Sequence, residues 1–255
     1  MMSVEAEPVL RARGLSKAFG HVQALVDTDV DLRAGEILAI VGDNGAGKST
    51  LIKCLSGAYV PDQGQILVGG QSAHIRSPRD AQMLGVATVY QDLALVDQRD
   101  VATNLCMGRE PVGRFGLVDR KAVLRQAEAT LARLNSRIPS ANTPVAVLSG
   151  GQRQAVAIGR ALAQGGRVII MDEPTAALGV RESAQVLELI QGLREQGIAM
   201  AVVSHNLQHV FAIADRIQVM LAGRGVGVRL RTETSGDEIV RMITGADVLV
   251  AGAVV

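Results

Sequence analysis

A glycine-rich segment at residues 42–49 carries the residue types that hold a phosphate group. Its letters, GDNGAGKS, place three glycines, a lysine and a serine at the spacing of a phosphate-binding loop. The glycines let backbone N–H groups close around an anion, Lys48 adds a positive charge for the outer phosphates, and Ser49 offers a hydroxyl to Mg²⁺. A helix that begins near Lys48 turns its positive end towards the anion. The loop predicts a nucleoside triphosphate site whose binding residues are Gly42, Asp43, Asn44, Gly45, Ala46, Gly47, Lys48, Ser49 and Thr50.

Two acidic residues follow an apolar run at 168–171 and complete the chemistry of such a site. A strand that ends in Asp172 at the edge of a parallel sheet places a carboxylate beside the phosphate loop. We expect Asp172 to hold Mg²⁺, directly or through water, and Glu173 to polarise a water molecule for in-line attack. Paired with the loop, these acids favour a catalytic site over solvated side chains that merely end a strand.

Strands must position both features. Short apolar runs rich in β-branched residues predict buried strands at 37–41, 66–68, 86–90, 168–171 and 198–203. Residues 24–32 alternate strictly and predict a half-buried, antiparallel strand whose inner face carries Val26, Thr28, Val30 and Leu32. The pattern is that of an α/β protein with a mixed, mainly parallel sheet and a small antiparallel β region.

Helical spacing dominates the middle of the chain. Apolar residues three and four apart predict helices over 120–134, with Asp119 as N-cap, and over 182–195. Strands become scarce between about residue 92 and residue 160. We therefore expect one domain in which residues 1–91 and 161–255 form the phosphate-loop core and residues 92–160 form an inserted helical lobe.

Composition and charge exclude several function classes. The 255 residues are 48% hydrophobic and 2% aromatic, with 26 Lys and Arg against 25 Asp and Glu. This balance argues against a nucleic-acid binder and against a polybasic membrane anchor. The longest apolar runs are too short for a transmembrane helix, and the acidic start lacks the apolar centre of a signal peptide. Cys54 and Cys106 have no metal-ligand spacing, and Cys54 lies at helical spacing with core residues Leu51 and Leu55.

A third anion-binding pattern, LSGGQRQ, lies at residues 148–154. Ser149 can cap the helix that follows, and Gly150 and Gly151 leave the first N–H groups of that helix open. With this segment the chain resembles the ATP-binding subunits of ABC transporters, and the resemblance spans nearly the whole length. It implies a P-loop ATPase fold that binds ATP with Mg²⁺.

The remaining motifs of that family follow in its order. Gln91 matches the Q-loop glutamine, which the resemblance makes a Mg²⁺ ligand and a sensor of the γ-phosphate. His205 matches the catalytic switch histidine, and Phe19 matches the aromatic residue that stacks on adenine. The resemblance also implies that two copies enclose two ATP molecules, each contacted in trans by the signature loop (residues 149–152), which consists of Ser149, Gly150, Gly151 and Gln152.

Gly179 departs from the family pattern. Many relatives have an Asp here, which couples the two ATP sites across the dimer. Because Glu173 and His205 are both present, we expect ATP turnover. A regulatory subunit that binds ATP without turnover is an alternative that rests on Gly179 alone.

Stretches at 34–45, 91–97 and 107–110 resemble the ATPases of bacterial monosaccharide importers. This resemblance implies a homodimer on the cytoplasmic side of the inner membrane, with a permease that docks at about residues 92–115 and, indirectly, a sugar-binding protein. The alternative is a soluble ABC ATPase that acts on DNA or the ribosome, which the absence of a long coiled coil and of a second ATPase domain disfavours. The apolar tail at 246–255 is compatible with a docked strand, a frayed end or a dimer contact.

Overall fold

The computed structural model describes residues 7–246, which form ten strands and eight α-helices. The strands are β1 (Leu10–Phe19), β2 (Val22–Leu32), β3 (Ile37–Val41), β4 (Gln63–Val68), β5 (Gln71–Ala73), β6 (Val86–Val89), β7 (Val168–Asp172), β8 (Ala199–Val203), β9 (Arg216–Leu221) and β10 (Arg224–Leu230). The helices are α1 (Lys48–Leu55), α2 (Pro78–Met83), α3 (Val101–Cys106), α4 (Arg120–Arg133), α5 (Gly150–Ala163), α6 (Val180–Glu195), α7 (Leu207–Ile213) and α8 (Gly236–Thr244).

A six-stranded sheet forms the centre of the fold. Its order is β10-β9-β3-β8-β7-β6, and every neighbouring pair is parallel except β9 and β10. The predicted mixed, mainly parallel sheet is thus confirmed. All five residues of β3 and of β8 are buried, because helices or the second sheet cover both faces of these strands.

A four-stranded antiparallel sheet, β2-β1-β4-β5, is the predicted second β region. The alternation predicted along β2 is wrong at one end. Asp27 has a φ of 49° beside a register shift against β1, and this bulge turns Leu25 inward and leaves Val26 half-buried. The strand predicted at 66–68 is confirmed, but the predicted burial is wrong for Leu67 and Val68, because β4 lies in this antiparallel sheet and only Ile66 is buried.

The main hydrophobic cluster lies around α1, between the two sheets. Four side chains of α1 are fully buried there, namely Leu51, Ile52, Cys54 and Leu55. Burial raises the pKa of the Cys54 thiol to about 11. The cysteine is therefore a packed side chain, as predicted, and not a reactive thiolate.

The segment between β6 and β7 contains α3, α4 and α5, which share a hydrophobic cluster that includes Val101, Leu105, Val123 and Val156. α4 begins after Asp119, whose carboxylate accepts a hydrogen bond from the N–H of Ala122 at 3.0 Å, as the sequence predicts. The predicted end of the helical lobe, residue 160, falls inside α5. The later residues of this helix pack against the parallel sheet. The division into a core and a helical lobe remains a prediction.

Within residues 7–246, none of the helices combines the length and the apolar character that crossing a bilayer requires. For the tail at 246–255, the sequence left open a docked strand, a frayed end or a dimer contact. These alternatives concern residues from 247 onward, which lie outside the described residues.

Candidate active site

Four neighbouring parallel strands deliver the predicted site residues to one edge of the sheet. The phosphate loop follows β3, His205 follows β8, Asp172 and Glu173 end β7, and Gln91 follows β6. These strands are adjacent in the order β3-β8-β7-β6. Their ends enclose a cleft of about 480 Å³ whose lining includes Asn44, Gly45, Ala46, Gly47, Lys48, Ser49, Thr50, Gln91, Asp172, Glu173 and His205.

Two glycines of the loop have backbone conformations that a side chain would obstruct. Gly42 has a φ of 154°, and a Cβ there would lie 2.3 Å from the carbonyl oxygen of Met220. Gly47 has a φ of 97° as the N-cap of α1, and a Cβ there would lie 2.6 Å from the carbonyl oxygen of Ala24. The loop is therefore held tightly between β2 and β9, with the N-terminus of α1 at the cleft.

Lys48 is the buried cation of the loop. Its Nζ donates to the carbonyl oxygens of Gly42 at 2.6 Å and of Asp43 at 2.9 Å. Burial lowers the pKa of Lys48, while the negative charges of Glu173, Asp43 and Asp172 oppose that shift. The ammonium group has two carbonyl partners and no carboxylate within ion-pair distance among the described residues, so it remains available to an incoming phosphate.

The surroundings of Asp172 stabilise the negative charge of its carboxylate poorly. Burial raises the pKa of Asp172, and the neighbouring Glu173 raises it further, against the lowering effect of Lys48 and Lys53. A cation in the cleft would relieve this cost, because an opposite charge favours the ionised form.

Glu173 occupies an unusual backbone position and is bonded to His205. Its φ is 50°, and its N–H donates to the carbonyl oxygen of Val203 at 3.0 Å. Its Oε1 accepts from the backbone N–H of His205 at 3.0 Å and lies 2.8 Å from the Nδ1 of that imidazole. The two side chains that follow β7 and β8 thus form one pair at the mouth of the cleft.

The signature loop lies elsewhere in the same chain. Ser149 caps α5, since its Oγ accepts from the N–H of Gln152 while Gln152 Oε1 accepts from the N–H of Ser149 at 3.0 Å. Gly151 and Gln152 line a separate groove of about 410 Å³ between α5 and α6. The lining of the phosphate cleft includes none of the four signature residues among the described part of the chain.

Phe19 lies at the end of β1 and is 43% exposed. It packs edge to face on Tyr59, with ring centroids 5.1 Å apart, and Lys17 Nζ lies 5.7 Å from its centroid. It is not among the residues that line the phosphate cleft, where β2 instead contributes Val22, Gln23 and Ala24. Sequence reasoning missed these three residues and Tyr59, because no motif marks them.

Arg160 is a second residue without a motif in the sequence analysis. It lies in α5, and its guanidinium donates to the carbonyl oxygens of Leu93 at 2.7 Å and Ala94 at 2.9 Å, just beyond Gln91. Burial lowers the pKa of Arg160. The arginine therefore ties the segment after Gln91 to the helix that begins at the signature loop.

The comparison with protein families decides the identity of this site. The family model described as ABC transporter matches residues 25–176, which include the phosphate loop, the signature loop and the Asp172–Glu173 pair. The chain belongs to the ABC transporter family. As an ABC ATPase it is an enzyme that binds and hydrolyses ATP, and the resemblance drawn from its motifs is confirmed.

Curated relatives of this ABC ATPase are import proteins. It is 48% identical over 247 residues to the "Fructose import ATP-binding protein FrcA" of Rhizobium meliloti, which covers 94% of this chain and 95% of that protein. It is 41% identical to the "Xylose/arabinose import ATP-binding protein XylG" of Sulfolobus acidocaldarius, over 92% and 94% of the two chains. It also matches the "Ribose import ATP-binding protein RbsA" of Chromobacterium violaceum at 46% identity, but spans only 47% of that longer relative.

Solved structures share the fold of the ABC ATPase. An ATP-binding cassette of an ABC transporter in its ADP conformation superposes with a TM-score of 0.80 at 25% identity, over 96% of this chain and 98% of that one. A dimeric bacterial ABC transporter cassette has a TM-score of 0.73 at 22% identity, over 87% and 98% of the two chains. The predicted P-loop ATPase fold is confirmed.

Proposed function

We propose that this ABC ATPase hydrolyses ATP to drive the import of a monosaccharide through a membrane permease. The proposal of ATP hydrolysis rests on one observation. Four residues line the same cleft, namely Lys48, Ser49, Asp172 and Glu173. The proposal of a sugar substrate rests on the relatives, whose names specify fructose, xylose or arabinose, and ribose. Their import functions favour transport over the alternative, a soluble ABC ATPase that acts on DNA or the ribosome.

The phosphate loop fits the β- and γ-phosphates of ATP. Its residues run from Gly42 to Thr50 into the first turn of α1. Lys48 lies at the centre, where it contacts two carbonyl oxygens and, within residues 7–246, no carboxylate. Phe19 would stack on the adenine, and Val22 and Gln23 extend the cleft towards it.

Three oxygen donors for Mg²⁺ line the same cleft. The hydroxyl of Ser49, the amide of Gln91 and the carboxylate of Asp172 would hold the ion together with the phosphates, and the poorly stabilised charge of Asp172 fits that role. When bound, Mg²⁺ neutralises charge on the phosphate oxygens. Gln91 would sense the γ-phosphate as well, because it begins the segment that leads to α3.

Glu173 is the proposed base and His205 its partner. The Glu173 carboxylate would accept a proton from the attacking water, and His205 would stabilise the charge that develops on the transferred phosphoryl group. The observed contact between Oε1 and Nδ1 holds both side chains at the cleft before substrate arrives.

A second copy of the chain would complete the site. Since the signature loop lies apart from the phosphate cleft of its own chain, it is free to face the ATP of a partner, with the capped N-terminus of α5 directed at the γ-phosphate. The dimeric cassette with the same fold supports this arrangement by analogy.

The permease would dock beside Gln91, at about residues 92–115. A cleft of about 310 Å³ opens there, and its lining includes Tyr90, Ala94, Met107 and Arg160. The ATPase would then sit on the cytoplasmic side of the cell membrane, and a sugar-binding protein would contact the permease rather than this chain.

Affinity capture tests this proposal. Glu173→Gln protein with Mg-ATP would be the bait in detergent-solubilised membranes of the native host, and a multi-span membrane protein is the expected prey. Vesicles that contain the assembled complex would then be tested with fructose, ribose and xylose. Recovery of ribosomes or DNA-repair proteins alone, or transport of amino acids or metals instead of sugars, would overturn the proposal.

A further inference from the structure

Glu182 lies in the first turn of α6, three residues after Gly179. Gly179 is the N-cap of that helix and has no side chain to accept the free N–H groups. The Glu182 carboxylate makes the other half of a capping box, because its Oε2 accepts a hydrogen bond from the Gly179 N–H at 3.3 Å. One acidic side chain therefore closes the start of α6.

The same carboxylate lies against the start of α5. A Cβ built on Gly150 would stand 3.5 Å from Glu182 Oε2 and 3.7 Å from Oε1, and a Cβ on Gly151 would stand 3.2 Å from the Glu182 Cβ. The first turn of α6 thus packs directly on the two glycines of the signature loop. The N-termini of both helices point at one negative charge.

After Gly179, the groups that stabilise this anion belong to the signature loop. The pKa of Glu182 is lowered most by the Gly179 N–H. Burial opposes this shift, and the Ser149 hydroxyl and the N–H groups of Gly151 and Gly150 lower the pKa further. Within the described residues, no lysine or arginine is among these stabilising groups. The carboxylate, which is hydrogen-bonded to the Gly179 N–H, thus lies beside the donors that the proposed dimer would turn to the γ-phosphate of a partner.

We propose that the Glu182 carboxylate is an internal competitor of the γ-phosphate at the signature loop. This inference rests on the two-copy arrangement under the proposed function. In the separate chain Glu182 occupies the anion position at the α5 N-terminus. When a second copy brings its ATP to that position, two anions meet and Glu182 must turn away, so it raises the ATP concentration that closure requires.

The glycine at position 179 is consistent with this competition between Glu182 and the γ-phosphate. A Cβ at this position would lie 3.8 Å from Glu182 Oε2. An aspartate, which the family commonly has here, would therefore bring a second carboxylate beside Glu182 and repel it from the signature loop. On this proposal, the glycine at position 179 leaves room for the Glu182 carboxylate.

The test measures dimer formation rather than turnover. In a Glu173→Gln background, which is expected to trap the closed dimer, sedimentation or light scattering gives the ATP concentration at half-maximal dimerisation. Glu182→Gln keeps an acceptor for the Gly179 N–H but removes the charge, so we expect this midpoint to fall roughly threefold to tenfold. Glu188→Gln, an exposed position on the same helix, is the matched control and should leave the midpoint unchanged.

A second variant separates charge from folding. Gly179→Asp supplies a capping side chain to α6 and repels Glu182, so it should also lower the midpoint without a loss of thermal stability. Equal or higher midpoints in both variants would overturn the inference. If the Glu173→Gln protein does not dimerise at any ATP concentration, the two-copy proposal itself fails, whatever Glu182 does.

Discussion

The Oε1 atom of Glu173 lies 2.8 Å from Nδ1 of His205 and 3.0 Å from the backbone N–H of the same residue. The carboxylate is largely covered, with 15% of its side chain exposed, whereas the imidazole is 73% exposed. His205 therefore covers the Oε1 atom of Glu173. We expect the water that Glu173 polarises to approach from the phosphate side.

Glu173→Gln should lower the rate of phosphate release by about 100-fold or more, because general-base catalysis contributes about 10²–10⁴. ATP binding should persist, since Lys48 and the loop are untouched. Steady-state phosphate release and fluorescent-nucleotide binding measure the two effects. A variant with normal turnover would remove Glu173 from the proposed mechanism.

His205→Ala should reduce kcat by about 10-fold to 100-fold with little change in KM, since the imidazole is proposed to act on charge in the transition state. The exposed His74, which is not among the residues that line the phosphate cleft, is the matched control, and His74→Ala should retain the full rate. A rise in KM at unchanged kcat would show that His205 serves substrate binding instead.

Lys48→Ala should weaken nucleotide binding about 10-fold to 100-fold, the effect of losing a charged hydrogen bond worth about 1.5–3 kcal/mol. Calorimetric titration with a non-hydrolysable ATP analogue is the measurement. Lys121→Ala, at an exposed position on α4, should bind normally. Equal affinities for the two variants would contradict the assignment of Lys48 to the phosphates.

Asp172→Asn should stabilise the nucleotide-free protein at pH 7 while it abolishes Mg²⁺-dependent turnover. Because burial and Glu173 raise the folded-state pKa of Asp172, its protonated form stabilises the fold at low pH, and that stabilisation is lost as the pH rises through the raised pKa. We expect Tm to rise by about 1–3 °C at pH 7. The gain should disappear as the pH falls below the raised pKa, where the wild-type carboxyl is also protonated. A lower Tm at pH 7 would refute this account.

The sequence predicted the elements that its motifs constrain. The phosphate loop requires a strand before it and a helix after it, and β3 and α1 lie where the sequence places them. Ser149 and Asp119 were recognised as helix caps because the capping contacts are local, within three residues.

Features that depend on distant partners escaped prediction. The bulge at Asp27 is set by the pairing of β2 with β1, so strict alternation gave the wrong inner face near Leu25. β1 and β10 have mixed polar residues and glycines, which hide the period of a strand. The contact of Glu182 with Gly150 joins the starts of two helices, and no local pattern indicates it.

The two hydrogen bonds from Arg160 make α5 a mechanical link. The helix rises about 1.5 Å per residue, so the guanidinium acts about 16 Å from Ser149. A shift of the segment at Leu93 and Ala94 must either carry α5 with it or break two charge-assisted hydrogen bonds. In the proposed dimer, α5 would therefore connect Gln91 at one ATP site with Ser149 at the other, so that the occupancy of one site would act mechanically on the other.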